Sequence, residues 1–158
     1  MKNLFRIILL LIAPTLSLSA IAVTIVPIGT AFTTSGSITI SAPTVPAMTC
    51  SAQLSGVTQF SNTVSIQVAN FTSFASPLCG TISSSGLPWQ LQATSTTTAT
   101  LSGIKINVGG VNCSSAPVTI NGAWSNSSNT FTAASQVVGS CILRNLVIFP
   151  TPAFTVLP

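Results

Sequence analysis

Apolar and polar residues alternate with a period of two along most of this chain, the spacing expected of strands that bury one face. A first short run covers Val23 to Val26 and is closed by Pro27 and Gly29. Ser37-Ile38-Thr39-Ile40 alternates cleanly, and Pro43 and Pro46 then interrupt. Met48 to Leu54 sets Cys50, Ala52 and Leu54 on one face, while Thr63 to Phe71 sets Val64, Ile66 and Val68 against Ser65 and Gln67. Thr96 to Val108 is a long candidate strand in which Ile104, Ile106 and Val108 share a face, Lys105 and Asn107 face away, and Gly103 marks a bulge. Val118, Ile120 and Trp124 follow. Asn121-Gly122 fits a type I′ hairpin turn, but a strand bulge at Gly122 is preferred, because the period of two carries through to Trp124. Ser125 to Asn129 reads as a plain turn. Ile142, Arg144 and Leu146 alternate against Leu143 and Val147, and Ala153 to Val156 supplies a last short strand.

Gly, Pro, Ser and Asn punctuate these runs every ~8–12 residues, and no run carries helical periodicity with caps. The pattern predicts an all-β chain: an antiparallel β-sandwich, with a barrel as the second choice. Residues 1–22 read as a secretory signal peptide and residues 23–158 as a single domain. Lys2 and Arg6 form the basic start, Ile7 to Ile12 the apolar core and Ala20-Ile21-Ala22 the cleavage site, with cleavage after Ala20 the near competitor. Pro14 and the hydroxyl residues after it leave the apolar stretch too short to span a bilayer, so no transmembrane segment is expected after cleavage.

Cleavage changes the charge balance. Of four basic residues only Lys105 and Arg144 remain, too few to bind a phosphate backbone, so nucleic-acid partners are excluded. Asp, Glu, His and Tyr are all absent, which removes carboxylate and imidazole acid–base catalysis, the catalytic triads and the two-carboxylate glycosidases. Ser102-Gly103-Ile104-Lys105 matches the Ser-x-x-Lys acyl-transfer pair, but that pair works on a helix. On an unbulged strand Ser102 and Lys105 would point to opposite faces. No enzyme activity, cofactor or metal site is expected, since the four cysteines stand about thirty residues apart, not at metal-ligand spacing. In an exported chain they imply two disulfides. Pairing sequential neighbours predicts Cys50–Cys79 and Cys113–Cys141 among the three possible connectivities. Trp89 and Trp124 are expected in the core.

One block organises the chain. Cys79 is followed by a Ser-rich turn and then Gly86-Leu87-Pro88-Trp89, where Pro88 fixes the start of the Trp89 strand. This block, with Cys50, Cys113, Gly122 to Trp124, Cys141 and a Thr-Pro-rich tail, resembles the secreted Pra-type (PraA/PraB-like) activators of alkane oxidation. The resemblance implies a secreted, non-enzymatic accessory protein that promotes hydrocarbon use. The composition agrees with its working at an oil–water or cell–oil interface, because an amide- and hydroxyl-covered domain with two charges desolvates cheaply there. The competing expectation is an extracellular structural, adhesin or biofilm-matrix subunit. It would self-associate by strand addition through segments such as Val23 to Ile25 or the Thr-rich C-terminal strand.

Overall fold

A computed structural model describes residues 23–60, 62–73 and 76–158. The expected signal peptide, 1–22, lies outside the described residues. In chain order the elements are β1 (Thr24–Val26), β2 (Ala31–Ala42), β3 (Val45–Thr58), β4 (Thr63–Ser73), a short 3₁₀ turn (Pro77–Thr81), β5 (Ile82–Ser85) and β6 (Trp89–Ala93). They continue with β7 (Thr98–Val108), β8 (Val111–Asn112), β9 (Val118–Ser125), β10 (Thr130–Val138), β11 (Cys141–Thr151) and β12 (Thr155–Leu157).

The wall runs β7-β6-β4-β3-β2-β11-β10-β9, every neighbour antiparallel. It then closes on itself, because β9 also pairs with β7, from Thr98↔Ala123 to Ile104↔Val118. The result is an eight-stranded antiparallel barrel with outer strands. The all-β, disulfide-stapled class is the expected one, and of the two architectures weighed the barrel replaces the preferred sandwich. The cause is β7. Its eleven residues carry β6 on one edge and β9 on the other, so the sheet has no free edges along which to separate into two layers.

Bulges bend the wall and change which residues face inward. In β4 the register against β3 slips between Ile66 and Val68, so Gln67 is the extra residue. Val68, expected beside Val64 and Ile66, is therefore exposed, and Ala69 and Phe71 turn into the core. In β11 the register slips at Arg144, so Leu143 and Leu146 both face inward while Ile142 and Arg144 face out. The expected grouping of Leu146 with Ile142 and Arg144 is corrected by that slip. The bulge foreseen at Gly103 is present, with φ +82° and a register slip between Leu101 and Ile104. No bulge occurs at Gly122. Residues 120–123 pair in register with β7, and the glycine is needed because a Cβ there would stand 2.4 Å from the Phe131 ring.

An eight-stranded barrel has an interior that side chains can fill. Here Ile38, Phe71, Trp89, Leu101, Ile120 and Leu146 are among those that fill it, leaving a void of about 20 Å³. That is room for about one water, in wholly apolar surroundings. One mouth is plugged by β1 and β12, which pair with each other from Thr24↔Leu157 to Val26↔Thr155. Ile25, Phe154 and Val156 point into the barrel, with Phe154 edge-on to Phe32 at 5.1 Å and stacked on Trp124 at 6.3 Å.

Candidate functional site

The Gly86-Leu87-Pro88-Trp89 motif is a kink in the wall. β5 and β6 lie end to end along β7, with Ser85 opposite Lys105 and Gln90 opposite Ser102. The register changes between them, where the motif faces the Gly103 bulge. Gly86 takes φ +66°, and the side chain of Lys105 packs over the space a Cβ would need. The kink delivers Trp89 inward: it is 2% exposed, and its Nε1 donates to the Ser85 carbonyl at 3.0 Å. Trp124 is equally enclosed, its Nε1 donating to Asn126 Oδ1 at 2.7 Å. Both tryptophans are core residues that hold shape and present no ring to a partner.

The cysteines pair as Cys50–Cys79 and Cys113–Cys141. Each bridge sits where the barrel's backbone ladder opens. β4 pairs with β6 only from Thr63 to Ile66, and beyond that Ser84 Oγ donates to the Ala69 carbonyl in place of a ladder bond. Cys79, in the 3₁₀ turn, ties that region to β3. β10 pairs with β9 only from Thr130 to Thr132. Further along, the Gln136 amide substitutes for a strand: Asn121 N–H donates to Gln136 Oε1 at 2.8 Å, and Gln136 Nε2 donates back to the Asn121 carbonyl. Cys113, bonded to Cys141, fixes the segment that crosses there, and its carbonyl accepts from Ser140 N–H at 2.7 Å.

Ser102 and Lys105, expected on opposite faces, both face outward, because the Gly103 bulge adds the extra residue between them. Ser102 Oγ donates to the Gln90 carbonyl at 3.4 Å.

The surface is asymmetric from end to end. At the plugged end the Pro27–Thr30 turn is bonded to the base of the β3–β4 hairpin, with Gly29 N–H donating to the Thr58 carbonyl at 2.9 Å and Thr58 Oγ1 to the Pro27 carbonyl at 2.6 Å. This rim exposes Phe60 (84%), Ile28 and, on the plug, Leu157. Lys105 lies seven residues along β7 from its start at this rim, roughly 20 Å away at strand spacing. Arg144 is three residues from the opposite rim. That opposite end also exposes Val137 and Ile142, a cross-strand pair, but Arg144 shares the outer face of Ile142 two residues on. Sequence reading missed the Ile28–Phe60 pair. Its two residues stand in separate turns, and alternation carries no information there.

Small and all-β, with two charged side chains and two disulfides among the described residues, the molecule has a filled barrel interior. The chain belongs to the family of alkane oxidation protein activators, PraA/PraB-like, which it matches over residues 1–158. No curated protein and no solved structure matches it.

Proposed function

We propose that this protein is a secreted, non-enzymatic accessory factor for hydrocarbon use that adsorbs at an oil–water or cell–oil boundary by its plugged end. The observation that carries the reading is the rim bearing Phe60, Ile28 and Leu157, which presents no charged side chain among the described residues, Lys105 and Arg144 being set toward the other rim. Apolar groups already exposed gain by entering oil, and no charged side chain has to be desolvated with them. Carriage of an alkane inside the barrel has no support, because the interior is filled. Two disulfides support export to an oxidising compartment. The mass of the protein recovered from culture medium checks the cleavage after Ala22. Fibre growth by strand addition is less favoured, since the terminal segments that would be donated are paired with each other and buried against the barrel.

The test is adsorption to hexadecane droplets, measured by depletion from the aqueous phase and by drop tensiometry. Phe60→Ser with Ile28→Ser should weaken adsorption about tenfold or more, since partial burial of two such side chains is worth about 1.5–3 kcal/mol. Urea melts should be unchanged. Val137→Ser with Ile142→Ser, at the charged end, should leave adsorption as it is. If the second pair of substitutions abolishes adsorption and the first does not, the orientation is wrong.

A further inference from the structure

The outer wall over β2 to β5 carries two contiguous grooves, of about 320 and 450 Å³, that share Gln53 and Asn70. These two amides face each other across β3 and β4 and are both exposed. Thr33 and Ser55 flank them on one side, and Thr72 and Ser83 on the other. In both grooves the sheet's own hydrogen bonding is interrupted. Between β2 and β3 the pairing stops at Thr33↔Ser55 and resumes at Ser37↔Ser51, and Leu54 N–H donates instead to Thr34 Oγ1 at 2.9 Å. Along β4 the Ala69 carbonyl has Ser84 Oγ in place of a strand. Amides, hydroxyls and backbone groups thus line one trough that crosses four strands, roughly 14 Å at strand spacing. No charged side chain among the described residues lines it.

We propose that this trough binds a neutral polysaccharide chain, so that the protein holds a hydroxyl-rich polymer on its wall while its plugged end meets oil. Side-chain amides and hydroxyls offer donors and acceptors together, as sugar hydroxyls do, and neither side brings an ion to desolvate. A peptide added as a strand must run along an edge, whereas this trough runs across the strands. An anionic polymer would need lysines or arginines that the trough lacks. An alkane would meet Val68 as the one exposed large apolar side chain among amides and hydroxyls.

Native affinity electrophoresis of the oxidised protein, in gels containing dextran or hydroxyethyl cellulose, with alginate as the anionic comparison, tests this. Retardation by a neutral polymer, the same at low and high salt, is expected. Gln53→Ala with Asn70→Ala should weaken it about tenfold or more, as expected for two lost neutral hydrogen-bonding groups. Urea melts and hexadecane adsorption of that variant should match the parent protein, which separates this surface from the oil-facing end. The proposal is overturned by no retardation in either neutral polymer, by a double variant that is retarded equally, or by retardation confined to alginate and removed by salt. Competition by an uncharged extended peptide but not by oligosaccharide would overturn it as well.

Discussion

Asn126 is one of two turn amides that hold the plug in place. Its Oδ1 accepts from Trp124 Nε1 and from Val156 N–H, and its Nδ2 donates to the Val156 carbonyl at 2.9 Å. Asn129 does the same one strand over, bonding the Pro150 carbonyl and Phe154 N–H from a left-handed backbone of φ 49°, which asparagine tolerates. Asn126→Ala leaves a tryptophan N–H and two backbone groups without partners and should cost about 2–4 kcal/mol in urea melts. Gly122→Ala drives a methyl into the Phe131 ring and should cost about 1–3 kcal/mol. Trp89→Ala should cost about 3–5 kcal/mol, with oil adsorption falling only as far as folded protein is lost. A variant as stable as the parent that no longer adsorbs would make Trp89 a contact residue. At this scale the sequence was legible where chemistry is strongly constrained. Tryptophans and widely spaced cysteines have few alternative fates, and the pairing of sequential cysteines followed from neighbouring elements lying together. Asn126 and Asn129 were not legible. An amide in a turn reads the same whether it faces water or clamps another segment.

Strands were found by alternation, and their phase was lost at bulges. Val68 and Leu146 each follow an extra residue, at Gln67 and at Arg144, that the period of two cannot anticipate. Gly103 was legible because glycine amid β-branched residues signals a break, whereas Gln67 and Arg144 carry no such mark. Gly122 gave the opposite error: the glycine serves a neighbouring ring and not its own backbone. The disulfides close sequence separations of 29 and 28 residues, and removing either should cost about 3–4 kcal/mol in the chain-entropy model. The losses should be local as well. With Cys113 and Cys141 both replaced by Ala, amide exchange should rise first along β9 and the Ala133–Val138 part of β10, where the Gln136 amide is left to bridge the opening. Uniform acceleration over the whole barrel would refute a local role for that bridge.

For the molecule as a whole, the choice between sandwich and barrel hinged on one strand pairing along both edges. That is a long-range fact, and no local pattern encodes it. What composition did encode is the response to acid. No Asp, Glu or His is present, and all four cysteines are bonded, so no side chain exchanges protons between about pH 3 and 7. Stability changes with pH only where folded and unfolded chains bind different numbers of protons. Unfolding free energy should therefore be flat over that range. The exposed C-terminal carboxyl of Pro158 is the one group of the described residues that titrates there. Were it held ionised by the fold, stability would fall as acid protonates it, and urea melts at unit pH steps would reveal a drop beyond about 1.4 kcal/mol. A cooperative transition near pH 4 would refute the argument. The filled interior sets a further condition on any action on hydrocarbon. A carrier with a cavity saturates in moles of alkane per mole of protein, and a filled barrel has no such ratio. Its demand is counted in area: dispersing a fixed volume of oil into finer droplets should raise the amount of protein needed for saturation, and adding oil at constant droplet area should leave it unchanged.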